Sequence, residues 1–239
     1  MGTPVVELKN VSMIFRRGWL IKKPGAHAVT NVSLALPEAG ILTLVGESGC
    51  GKTTLGRIAL GLIKPTAGEV LWEGKNIWQM GTKEFNKLRP MAQLVHQDSY
   101  AALNPVRTIY QTLSAPLLYH GTRRSEVRGK VEELLKFVGV NPPSYFLGKY
   151  PHHLSGGLRQ RIVLARSLIL QPKFIVADEP VSMIDMSLRL SVLDVMLRVN
   201  KELGTAFLYI THDLATARYI GREGRIAVMY LGMIMETGA

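Results

Sequence analysis

Three short stretches carry residue types whose spacing could do chemistry together. In GESGCGKTT, Gly46, four residues, then Gly51, Lys52 and Thr53 form a phosphate-loop pattern. Its glycines let backbone N–H groups of Glu47, Ser48, Gly49, Cys50 and Thr54 turn inward around an anion, and a helix starting there adds its partial positive charge. Lys52 would reach the outer phosphates of a nucleotide, and the Thr53 hydroxyl would ligate magnesium. Cys50 stands where the loop needs a small residue, which argues against a catalytic thiol. The second stretch, FIVADEP (174–180), ends an apolar run in two carboxylates. Asp178, at the end of the run, can hold magnesium through water, while Glu179 projects differently and can face an attacking water. An Asp-Glu pair after a strand is by itself an ordinary solvated loop; beside a phosphate loop it makes a nucleotide-hydrolase arrangement with its own general base. The third stretch, LSGGLRQR (154–161), sets Ser155 before Gly156 and Gly157 at the head of a helical pattern. Its backbone, too, could approach an anion closely.

The elements that must position these groups are legible in outline. TPVVELKNVSMIF (3–15) and AVTNVSLAL (28–36) alternate like strands, joined by the loop RRGWLIKKPGAH (16–27). ILTLV (41–45) is a continuous apolar run, the pattern of a strand buried on both faces, and it feeds the phosphate loop and then a helix in TTLGRIALGL. GEVLWEGKNI (68–77) reads as a strand and turn, and AQLVHQ as a strand ending at Gln97. From about 105 to 170 helical spacing takes over, broken by NPP at 141–143, with a third helix expected from near Ser155. FIVAD and AFLYI (206–210) are further buried strands around a helix at 188–203, and RIAVMYLGMIMETG (225–238) reads as a closing hairpin. Strands alternating with helices and interrupted by a helical block imply an α/β core with a helical insertion.

Composition narrows the setting. A chain of 239 residues with 47% hydrophobic content can bury a substantial core. The net charge of +11 is spread along the chain, at Arg16, Arg17, Lys22, Lys23, Arg123, Arg124, Arg222 and Arg225 among others. No aromatic-interleaved basic repeat appears, so charge alone does not indicate nucleic acid. No apolar run approaches the roughly 18 residues of a membrane span. The N-terminus lacks a signal-peptide core. The lone Cys50 excludes an internal disulfide. These features predict a soluble, cytoplasmic chain. His96, His152 and His153 show no metal-ligand spacing.

GESGCGKTT, LSGGLRQR, FIVADEP and THD (211–213) stand in the order and spacing of ATP-binding cassette (ABC) ATPases, and the resemblance covers essentially the whole chain. VHQDSYAALNPVRTI, KYPHHLSGGLRQR and IAVMYLGMIMETG further resemble the ATPase subunits of oligopeptide/dipeptide importers. The resemblance implies a P-loop NTPase core, with a RecA-like parallel sheet plus an antiparallel β subdomain (about 1–97 and 171–239) and an inserted helical subdomain (about 98–170). It implies ATP and Mg2+ as ligands. It places Phe15 against adenine, Gln97 at the metal and as a sensor of the membrane subunit, and Ser155, Gly156 and Gly157 at a γ-phosphate. It also makes Asp185 the D-loop aspartate and His212 the switch histidine. Implied partners are a second ATPase chain arranged head to tail, transmembrane permease subunits and, indirectly, an extracytoplasmic solute-binding protein, with the chain on the cytoplasmic membrane face and no nucleic acid expected.

Departures from the family pattern are Met183 and Ile184 in SMID, Leu158 after the signature glycines, and an end at METGA where such subunits generally continue. None removes a catalytic group. Two rival readings are a non-transport cassette acting on nucleic acid or ribosomes and a module that binds ATP without hydrolysis. The length, which leaves no room for a second cassette or long coiled coil, opposes the first; Glu179 and His212 oppose the second.

Overall fold

The computed structural model describes residues 2–15 and 25–238. Most of the expected loop at 16–27 thus lies outside the described residues. The chain opens with β1 (Val6–Phe15) and β2 (Ala26–Leu36), which pair antiparallel, then β3 (Ile41–Val45) and α1 (Lys52–Ala59). β4 (Ala67–Trp72) and β5 (Lys75–Asn76) form a strand-turn unit, followed by α2 (Thr82–Leu88) and β6 (Ala92–Val95). A helical block follows: α3 (Ser99–Ala102), α4 (Ile109–Tyr119), α5 (Arg124–Phe137), α6 (Pro143–Leu147) and α7 (Gly156–Leu168). The chain returns through β7 (Phe174–Asp178), α8 (Met186–Leu203), β8 (Ala206–Thr211), α9 (Leu214–Gly221) and the hairpin β9 (Arg225–Tyr230) and β10 (Met233–Gly238).

Among the described residues the strands form two sheets, a four-stranded one in the order β2-β1-β4-β5 and a six-stranded one in the order β10-β9-β3-β8-β7-β6. The first is antiparallel; in the second, β9, β3, β8, β7 and β6 run parallel and β10 closes one edge antiparallel. Why the central strands are continuously apolar is visible in their alternation. Leu42, Leu44, Phe174, Val176, Leu208 and Ile210 join one core cluster with α1 and the antiparallel sheet. Ile41, Ile175, Ala177, Phe207 and Tyr209 face the other side, against α8 and the helical block. Successive side chains on a strand point to opposite faces, so a sheet covered on both reads as a nearly continuous apolar run, with Thr43 the polar exception inside β3. Trp72 stacks on Phe85, meets Phe174 edge-on and donates its indole N–H to the carbonyl of Ala59 at 2.9 Å, which fixes the end of α1 against the sheet.

Boundaries shift in places. The strand expected through AQLVHQ ends at Val95, leaving Gln97 in the connection to α3, and α8 begins two residues earlier than the periodicity suggests. α2, α3 and α9 are elements the apolar spacing does not reveal.

Candidate functional site

The site lies beyond the carboxyl ends of the parallel strands, where an open α/β sheet offers its crevice. Val45 ends β3 and the chain turns at once. A side chain at Gly46 would place Cβ 2.2 Å from the carbonyl oxygen of Met229, and one at Gly51 would lie 2.1 Å from that of Ala28, so neither position admits one. Gly51, at φ 111°, is the N-cap of α1. This close approach of backbone to β2 and β9 aims the first amides of α1 into a cleft of 920 Å³. Gly46, Glu47, Ser48, Gly49, Gly51, Lys52, Thr53 and Thr54 line it along one side, Gln97, Glu179 and His212 along another, and Ala28, Leu214 and Val228 supply apolar wall. Lys52 is almost wholly buried, and its Nζ donates to the carbonyls of Gly46 and Glu47, both at 2.7 Å. The Cys50 thiol is buried 3.8 Å from Nζ, packed inside the loop and away from the cleft.

Two carboxylates complete the arrangement. Asp178 ends β7 and accepts from the Thr53 hydroxyl at 3.2 Å. Burial pushes its carboxyl above the ordinary range, with the Thr53 hydrogen bond offsetting part of the effect. A desolvated carboxylate beside a hydroxyl, with the Gln97 amide in the same small cavity, is a set of hard oxygen donors that fits a magnesium ion. Glu179 has φ 47°, in the left-handed region, and its N–H donates to Ile210 O at 2.9 Å. That backbone turns its carboxylate out of the strand line. One oxygen accepts from Gln97 Nε2 at 3.0 Å and the other meets His212 Nδ1 at 2.8 Å. Against a carboxylate, which only accepts, Nδ1 carries a proton, and Nε2 is the nitrogen left to face a ligand.

The cleft therefore gathers the phosphate loop, Gln97, Glu179 and His212, with Asp178 joined through Thr53. It does not gather every anticipated residue. Phe15, at the end of β1, is 43% exposed and absent from the lining; Ala28 and Val228 stand there, residues that sequence reasoning missed because small apolar side chains carry no chemical signal. Ser155, Gly156 and Asp185 are exposed elsewhere, and Gly157 is buried against Leu188. Ser155 caps α7, its hydroxyl accepting from Leu158 N at 3.4 Å. Asp213 was passed over as well. It caps α9 by accepting from Ala215 N at 2.8 Å, and the aspartate directly after His212 was a readable helix-start signal. His152 and His153 pack with Tyr150 in an aromatic cluster, and among the described residues no group of three or more His, Cys, Asp or Glu could hold a metal.

A family model described as ABC transporter matches residues 29–182. The chain is 42% identical over 237 residues to the oligopeptide transport ATP-binding protein AppF of Bacillus subtilis, covering 97% of this chain and 71% of that protein. It is 41% identical over 239 residues to the glutathione import ATP-binding protein GsiA of Pectobacterium atrosepticum, covering 98% of this chain and 38% of that one. Among solved structures, the dimeric post-hydrolysis state of the ATP-binding cassette MJ0796 bound to ADP and Pi superposes with a TM-score of 0.82 at 29% identity, over 98% of this chain and 97% of that one.

Proposed function

This chain belongs to the ABC transporter family and is one of its ATP-hydrolysing subunits, and we propose that it energises uptake of oligopeptides, or of a related small solute, through separate permease chains. The observation that carries the catalytic assignment is the Glu179 carboxylate held between Gln97 and His212 at the mouth of the phosphate loop. Each carboxylate oxygen keeps a further lone pair with which to orient and deprotonate a water beside the terminal phosphate. Lys52, the α1 amides and His212, which donates from Nε2 in its doubly protonated form, stabilise charge that develops on the γ-phosphoryl group. Thr53, Asp178 and Gln97 would hold Mg2+, which neutralises charge on the phosphates when bound.

The names of the relatives support peptide-like cargo, and the dimeric state of the similar cassette supports a second ATPase chain as partner. We place the chain at the cytoplasmic membrane face, docked on permease subunits that a solute-binding protein feeds. Among the described residues no helix is long and apolar enough to cross a membrane. No observation favours a cassette acting on nucleic acid or ribosomes.

Glu179→Gln tests the reading. The substitution keeps the hydrogen-bonding shape and removes the base, so ATP should still bind while turnover falls at least a hundredfold, in line with the roughly 10²–10⁴-fold contribution of a positioned base. Binding is read by equilibrium titration and turnover by phosphate release. Turnover close to that of the unsubstituted chain would remove Glu179 from the role.

A further inference from the structure

We propose that Arg189 is a positioning residue for ATP hydrolysis: its guanidinium fixes the loop that follows Glu179 against the loop that carries His212. The inference rests on the roles of Glu179 and His212 proposed above.

Arg189 sits in the first turn of α8 and does not line the nucleotide cleft. Its half-buried side chain faces a second, smaller cavity shared by Glu179, Ser182, His212 and Asp213. Three of its nitrogens are engaged. Nε donates to Ile184 O at 3.0 Å, Nη2 to Ser182 O at 3.4 Å, and Nη1 meets Asp213 Oδ2 at 3.3 Å. The two carbonyls belong to the segment between Glu179 and Asp185; the carboxylate belongs to the residue after His212.

Each end of this clamp is rigidly joined to a group at the cleft. Ser182 donates both its N–H and its hydroxyl to the carbonyl of Glu179, at 3.2 and 3.0 Å. Asp213 uses its other oxygen, Oδ1, to cap α9, and its N–H donates to the Thr211 hydroxyl at 3.0 Å. The displacement open to the Glu179–His212 pair is therefore bounded on the side away from the cleft by one guanidinium. A partly exposed ion pair contributes little to stability, so the value of this contact lies in geometry. A planar fork with fixed donors can span three acceptors, which the single flexible ammonium of lysine cannot do in the same way. The left-handed backbone of Glu179 adds a reason, because a residue in that region persists only where its surroundings hold it there.

The test compares Arg189→Gln, Arg189→Lys, Asp213→Asn and the Arg189→Gln/Asp213→Asn pair, with Glu179→Gln alongside. Asparagine caps a helix about as well as aspartate, so Asp213→Asn removes the charge and leaves the start of α9 supported. Arg189→Gln should lower kcat about tenfold or more, since small misplacement of catalytic groups is costly, with KM for ATP and the affinity for a non-hydrolysable ATP analogue essentially unchanged. Asp213→Asn should lower kcat in the same way, the double variant should be no slower than the slower single, and Arg189→Lys should recover only part of the rate. Retained analogue affinity shows at once that a slow variant is folded. A kcat for Arg189→Gln within twofold of the unsubstituted chain, effects of the two substitutions that multiply, or a loss confined to KM would each overturn the proposal. Undiminished turnover in Glu179→Gln would instead strike the underlying assignment, so the two failures are told apart.

Discussion

Glu179 has a backbone conformation that costs a non-glycine residue on the order of 1–3 kcal/mol, and it is tied there by the hydrogen bond its N–H donates to the carbonyl of Ile210. Neither fact has a signature in FIVADEP. What the sequence does show is residue type at a strand end, because a carboxylate suits both a general base and a magnesium ligand. The partners of Glu179 come from 82 and 33 residues away, Gln97 and His212, and no local pattern announces such a meeting. Only the resemblance to a family tied them together. Phe15 shows the converse: its type fits an adenine platform, yet at the end of β1 it is partly exposed and does not line the cleft. If Phe15 stacks on the base, Phe15→Ala should weaken ATP binding by about fivefold or more, since stacking contributes roughly 1–3 kcal/mol per base. Its melting temperature should stay close to that of the unsubstituted chain, as the ring already meets solvent. Unchanged affinity with a lowered melting temperature, measured by titration and thermal melt, would make Phe15 a packing residue.

At the scale of elements, legibility followed burial. β3, β7 and β8 stood out because both of their faces are covered, so their positions are apolar apart from Thr43 and the strand ends Asp178 and Thr211. α3 has four residues and α2 seven, too few turns for a 3.6-residue period to accumulate, and α2 has no fully buried residue at all. Such helices are fixed by caps and neighbours, as Asp98 fixes α3 by accepting from Tyr100 N and Ala101 N. β8 carries a testable consequence. Tyr209 is wholly buried, and desolvation raises its phenol from 10.0 to about 12, with the Thr216 hydroxyl offsetting part. A group with a raised folded-state pKa contributes its full stability below the unfolded value and loses it as pH climbs through the folded one. Between about pH 10 and 12 Tyr209 should therefore cost the fold up to about 3 kcal/mol. Denaturant unfolding of Tyr209→Phe across that range should show a shallower alkaline loss than the unsubstituted chain; parallel curves would mean that Tyr209 does not control it.

At the scale of the whole molecule, the phosphate loop and the LSGG loop belong to different parts of the fold. The first joins β3 to α1 in the central sheet; the second heads α7 in the helical block inserted between β6 and β7. Ser155 and Gly156 are exposed there, outside the cleft that holds Lys52 and Glu179. A second anion-binding loop that a chain does not turn toward its own nucleotide becomes intelligible in a twofold, head-to-tail pair, where each α7 N-terminus covers the γ-phosphate held by the partner chain. In such a pair hydrolysis would be tied to association, because neither chain alone would present a complete site. Mixing a Lys52→Ala chain with a Ser155→Arg chain decides the matter. Each alone should fail to occlude ATP, the first for want of the phosphate-facing charge and the second because a large cation blocks the closing surface. The mixed pair contains one composite site with both Lys52 and Ser155 intact and one with both replaced. It should occlude one ATP per two chains, measured with radiolabelled nucleotide after gel filtration. Ser155→Arg chains that occlude ATP normally by themselves would show that this loop serves no nucleotide held by another chain.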